Sequence, residues 1–91
     1  MSTSQAPVAL PPVEALVGEV VATLVYAARA YLGEGAEGET GTIDFEAADL
    51  AIGVAVHAFE AVQPRLRTDE RSALAGMLTE LRMAYVRKRG V

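Results

Sequence analysis

The stretch from Phe45 to Gln63, FEAADLAIGVAVHAFEAVQ, is apolar around most of a helical circumference, and that limits the folds open to this chain. At 3.6 residues per turn, Glu46, Asp49, His57 and Glu60 collect with Gly53 on one narrow stripe. Phe45, Ile52, Val56 and Phe59 form a bulky ridge beside it. Ala47, Ala48, Ala51, Ala55 and Ala58 make a smooth remainder around Leu50, Val54 and Val62. An apolar arc of roughly two thirds of the circumference is wider than the single buried stripe of a surface helix. Such a helix needs neighbours on at least two sides.

The chain has little with which to supply them. Its 91 residues make one domain, near the lower limit for a self-sufficient core. Ala and Val provide much of the 52% hydrophobic content, so the helices can pack closely. The net charge of −4 disfavours phosphate backbones and anionic lipid as generic partners, and a nucleic-acid role would have to use the arginine-rich end of the chain. There is no Cys, which excludes disulfides, thiolate-held zinc, iron–sulfur clusters and thiol nucleophiles. No secretory signal pattern opens the sequence, so the expected location is cytoplasmic. The segment from Val13 to Leu32 has the length of a membrane span but contains Glu14, Glu19 and Arg29. Each such charge at mid-membrane costs about 2.5–3.5 kcal/mol, so the segment reads as a buried helix and no membrane span is expected.

Residues 1–10 read as a disordered tail and residues 11–91 as a single helical domain. Pro11 and Pro12 suit a helix start, and the first helix is predicted over residues 13–32, ending at Gly33. On it Leu16, Val20, Leu24, Ala27 and Tyr31 share one line, which Val17, Val21, Val25, Ala28 and Leu32 widen to about half the circumference. Residues 33–42, GEGAEGETGT, form a solvated connector whose Glu34, Glu37 and Glu39 do not have the spacing of a calcium loop. The second helix is predicted over 44–63, opened by Asp44 as N-cap and stopped at Pro64. Thr68 is the expected cap of a third helix over 69–89, whose Leu74, Met77, Leu78, Leu81 and Tyr85 make an ordinary amphipathic face. Gly53 and Gly76 interrupt helices two and three, either to admit a close neighbour or as tolerated drift.

Candidate chemistry is sparse. Glu46, Asp49, His57 and Glu60 are the only candidate metal or small-ligand set, but the order His57-Ala-Phe-Glu60 reverses the Glu-x-x-His of di-iron bundles. No facing carboxylate joins them, so the stripe reads as a solvated face; no metal or other cofactor is expected. His57 is the only histidine and no Ser or Thr can be tied to it, so no catalytic residues are assigned and an enzyme is not expected. Arg65, Arg67, Arg71, Arg82, Arg87, Lys88 and Arg89 concentrate positive charge in the last third. Helix-end complementarity and pairs such as Arg67 with Asp69 or Glu70 account for it, and binding to an acidic partner, to a negative face of a second copy of the chain or to nucleic acid are the alternatives.

Three stretches also carry a likeness. Tyr31-Leu32-Gly33-Glu34 closes the first helix, Asp44-Phe45-Glu46-Ala47-Ala48-Asp49-Leu50-Ala51-Ile52 opens the second, and Glu80-Leu81-Arg82-Met83-Ala84-Tyr85-Val86 stands near the end. Together they resemble the small bacterial family known as domain of unknown function eighteen-forty-four, from about Val13 to Val86. The Leu-Arg-x-x-Tyr ending is the distinctive part. In place of the family's Gly-Asn-Leu type of turn before the third helix stands Pro64-Arg65-Leu66. The resemblance implies a compact helical protein and supplies no mechanism or site residues.

These readings converge on an all-α, three-helix domain completed by homodimerisation into a larger helical bundle. Its expected centre is Leu16, Val20, Leu24, Leu50, Ile52, Val54, Phe59, Leu74, Leu78 and Leu81, with Leu16, Val20, Leu24, Leu50, Val54 and Phe59 at the interface. The expected function is that of a non-catalytic oligomerisation or interaction protein, an adaptor or regulator, with a further protein partner possible. On this reading Val20→Asp or Val54→Asp buries an unpaired charge and leaves the protein unfolded or aggregated.

Overall fold

The computed structural model describes residues 9–34 and 42–90. Most of the expected N-terminal tail, and the part of the acidic connector holding Glu37 and Glu39, lie outside the described residues. Within them the chain forms α1 (Val13–Tyr31), α2 (Phe45–Val62), a 3-10 turn (Gln63–Arg65) and α3 (Thr68–Arg89), and no strand. It is a three-helix, all-α domain.

Local chemistry sets the helix ends. Pro12, which has no N–H to leave unpaired, precedes α1 and accepts from the N–H groups of Ala15 and Leu16 at 3.0 and 3.2 Å. At the other end Gly33 takes φ +84°, where a Cβ would be strained. Its N–H donates to the Ala30 carbonyl at 2.9 Å and that of Glu34 to the Arg29 carbonyl at 2.8 Å, the paired bonds of a Schellman stop. The Asp44 carboxylate accepts from the Ala47 N–H at 3.0 Å and caps α2 as expected. Pro64 sits within the 3-10 turn after Val62, where its missing donor interrupts no α-helical bond.

The start of α3 differs from the sequence reading. Thr68 is already the first helical residue, and its side chain is not the cap. Instead the Glu70 carboxylate reaches back to the Arg67 N–H at 3.0 Å, and Asp69 accepts from the Glu70 N–H at 2.9 Å. Two carboxylates in the first turn do the work assigned to the hydroxyl, and carry negative charge to the positive end of the helix dipole.

Direction follows from the contacts at the two ends. Asp44 N–H bonds the Tyr31 carbonyl at 2.8 Å, and Glu14 at the start of α1 meets Arg65 just beyond α2 at 3.1 Å, so these helices are an antiparallel hairpin. α3 runs back along it: Arg29 near the end of α1 reaches Glu80 at 3.7 Å, and Tyr85 packs edge-on against Phe45, ring centroids 5.7 Å apart. The core comprises Val21, Val25, Ala28 and Leu32 of the first helix and its stop, Ala48, Ala51, Ile52, Ala55, Phe59 and Val62 of α2, Leu66, and Leu78, Leu81 and Ala84 of α3.

Within the protomer this core holds only part of the expected centre. On α1 the buried line is the one through Val21, Val25 and Ala28, while Leu16 and Val20 lie beside it in solvent and Leu24 is partly buried. Both lines were apolar, so periodicity could not choose between them. Small residues decide it: the alanines of α2 and the short Val and Ala side chains of α1 let the two backbones approach closely. On α2 Ile52 and Phe59 are buried as expected, and Leu50 and Val54 are not.

Candidate interaction surface

The α1–α2 hairpin has two broad faces, and α3 covers one. Gly18 and Ala22 of α1 line the cleft beside Leu66 and Leu74, while Val56 and Phe59 of α2 line that beside Ala75 and Leu78. Val20 follows Gly18 by two residues and Val54 precedes Val56 by two, which is about 160° around each helix. The opposite face therefore carries Leu16 and Val20 from one helix and Leu50 and Val54 from the other. These side chains are 43%, 49%, 69% and 46% exposed. A shallow depression of about 390 Å³ runs along α1 there, lined by Leu16, Glu19, Val20, Thr23 and Leu24. Around the four large residues stand Ala27, Ala47, Ala58 and Ala61; Glu19 borders the depression, and Glu46 and His57 flank Leu50 one and two turns away along α2.

Two of the expected interface residues fare differently. Phe59 belongs to the protomer's own core, because its side chain faces the helix α3 that packs over it. Leu24 is partly buried against that core. The exposure of the others bears on the expectation for two variants. A carboxylate placed at Val20 or Val54 would remain hydrated in an isolated protomer, so neither Val20→Asp nor Val54→Asp has a reason to unfold it.

Glu46, Asp49, His57 and Glu60 lie exposed along α2. Glu46 and Glu60 stand fourteen residues apart, about 21 Å along the axis, too far to converge on one ion. Among the described residues no three His, Asp or Glu side chains group as they would around a metal. Gly53, on the same stripe, has no heavy atom within 4 Å of where a Cβ would stand, and neither has Gly76. Neither glycine is needed for helix packing within the protomer.

The charged residues of the last third divide into pairs and free cations. Arg65 is held by Glu14 and Arg67 by Asp69, at 3.1 and 3.3 Å. Arg29 bridges Glu34 and Glu80, tying the end of the hairpin to α3. Arg71 donates to the Leu66 carbonyl at 3.1 Å. Arg89 lies over the rings of Phe45 and Tyr85, 5.0 and 5.8 Å from their centroids. Arg82 and Arg87 are exposed and make no ion pair among the described residues.

Between those last two arginines lies a feature that the sequence reading missed. Met83 and Val86 are 55% and 44% exposed on the outer side of α3, so this helix also has apolar surface left over. They line a groove of about 430 Å³ with Thr79, Arg82 and Arg87. The available signal was a second 3–4 spacing, Ser72, Gly76, Thr79, Met83, Val86, running opposite the buried one. Its first half is small and polar, which hid it.

No helix among the described residues is long and apolar enough to cross a membrane. A family model described as a domain of unknown function, DUF1844, matches residues 14–87, all three helices nearly end to end. No curated protein and no solved structure matches the chain.

Proposed function

Since the chain belongs to the DUF1844 family, a domain of unknown function, its role must be read from its own surfaces, and we propose a non-catalytic interaction module that pairs with a second copy through the open α1–α2 face. The observation that carries this reading is the exposure of Leu16, Val20, Leu50 and Val54 together on one side of the hairpin. The middle of that face is free of charge, so a second copy can lie on it without burying an unpaired ion. In projection it measures roughly 28 by 20 Å, on the order of 600 Å². Accessible area exceeds projected area on a ridged surface, which brings the face near the ~800 Å² per partner of a standard interface. Pairing across a two-fold axis would place two hairpins together as a four-helix layer, with α3 of each copy on the outside.

Sedimentation equilibrium tests this directly. The wild-type chain is expected to be a dimer, and Leu50→Glu and Val54→Asp to be monomers with unchanged helical circular dichroism. Burying a carboxylate at that face costs several kcal/mol, so self-association should weaken at least 100-fold. Glu60→Gln, on the polar stripe, should leave the dimer intact. A wild-type monomer at the highest soluble concentration, or a dimer indifferent to both substitutions, overturns the proposal.

A further inference from the structure

We propose that the outer side of α3 is a second docking surface, for an acidic amphipathic helix of another protein. Ser72, Gly76, Thr79, Met83 and Val86 follow one another at alternating spacings of four and three, the seam of a heptad repeat. Met83 and Val86 occupy its a and d positions and are exposed, beside the groove of about 430 Å³. In that register Arg82 and Arg89 fall at g, and Glu80 and Arg87 at e. Residues at e and g flank a paired helix and select it by charge. Glu80 already faces Arg29, and Arg82 and Arg87 are without ion-pair partners among the described residues.

The same register favours an acidic helix over a second copy. In a parallel pair g meets the e position five residues on in the partner, which sets Arg82 against Arg87. In an antiparallel pair with Met83 on Val86, g meets g and sets Arg82 against Arg89, while e meets e and sets Glu80 against Arg87. Each arrangement places at least one pair of like charges beside the seam, an arrangement that specific helix pairs use to reject partners. A helix with leucine-like residues at its own a and d positions and carboxylates at e and g covers Met83 and Val86 and neutralises both arginines. A phosphate backbone would leave the apolar pair in water. Nor is there an exposed ring beside it to stack a base, because Tyr85 is turned onto Phe45. Met83 stands on the outer side of α3, while Thr79, Arg82 and Val86 also border clefts against α2. None of them belongs to the open face of Leu16, Val20, Leu50 and Val54, so the surface does not depend on self-association.

The probe is a two-heptad helical peptide with leucine at a and d and glutamate at e and g, labelled for fluorescence anisotropy. It should bind the full-length chain, and at least tenfold more weakly either to Met83→Asp or to the double variant Arg82→Glu, Arg87→Glu. The same peptide with lysine for glutamate should bind the double variant and not the wild type. Val54→Asp should bind the acidic peptide as well as wild type does, which separates this surface from the self-pairing one. Absence of binding, or binding unaffected by these substitutions, overturns the proposal. So does displacement of the peptide by a single-stranded oligonucleotide that binds more tightly through the same two arginines, which would reassign the surface to nucleic acid.

Discussion

At the scale of single residues, the chain is held at its ends by a few polar contacts whose value is modest and whose positions matter. Tyr85, Phe45 and Arg89 form one such contact, joining the last turn of α3 to the first turn of α2 through an edge-on ring pair with a guanidinium above it. Glu14 and Asp69 form others. The Glu14 carboxyl is held below the usual carboxylate range first by its own backbone N–H and then by Arg65; that of Asp69 by the Glu70 N–H and then by Arg67. A lowered pKa means that the folded chain binds fewer protons than the unfolded one in mildly acid solution. The stabilisation is therefore present above the ordinary carboxylate range, about pH 4, and is lost as the pH falls through the lowered values. The double variant Glu14→Gln, Asp69→Asn should show a flatter fall of thermal midpoint below about pH 4.5 than the wild type. Superimposable curves would mean that these exposed pairs contribute nothing, as many surface ion pairs do.

At the scale of elements, the differences between helices come from which of several apolar lines is turned inward. α1 carries two adjacent lines, and the small-residue side of α2 selects the one through Val21 and Val25. α2 itself turns its alanines and Ile52 to the core and leaves Leu50 and Val54 outside. Its glycine is a separate matter. Gly53 stands in mid-helix with open space where a Cβ would project, so Gly53→Ala meets no obstruction and removes backbone freedom from the unfolded chain. A gain of about 0.5–1 kcal/mol is expected in chemical denaturation, with the proposed self-association unaffected because Gly53 lies off the uncharged face. Gly33 is the contrasting case, since its φ of +84° makes any side chain there strained.

At the scale of the molecule, two chemically different sides follow from one bundle. The α1–α2 side is broad and uncharged, while the α3 side is narrow, with Met83 and Val86 exposed between Arg82 and Arg87. A dimer formed on the first side would present two copies of the second, spaced and oriented by the two-fold axis, and a bivalent arrangement raises apparent affinity for a partner with two acidic helices. Coupled folding and pairing also has a thermodynamic signature. The wild-type thermal midpoint should rise with protein concentration, by mass action, and that of Val54→Asp should not. A midpoint independent of concentration in the wild type would argue that the protomer's own core suffices.

Much of this was present in the order of the residues. Periodicity of 3.6 placed three helices within a residue or two, Gly33, Asp44 and Pro64 marked their limits, and the width of the apolar arc on residues 45–63 required more than one neighbour. These are local properties, set by backbone sterics and by the geometry of one helix, and they do not depend on what packs where. Other features are relations between helices. Thr68 or Glu70 as the capping group, Val21 or Val20 as the buried position, Phe59 in the core or at an interface, and Met83 inside or out each involve side chains of similar type on neighbouring lines. Hydrophobic free energy scales with area and is nearly indifferent to which of two adjacent lines supplies it. Close packing is not indifferent, because shape decides how near two backbones can come. The helix that opened the question keeps its excess apolar surface in the folded protomer, and only the tertiary arrangement shows that the excess is Leu50 and Val54, on the same side as Leu16 and Val20.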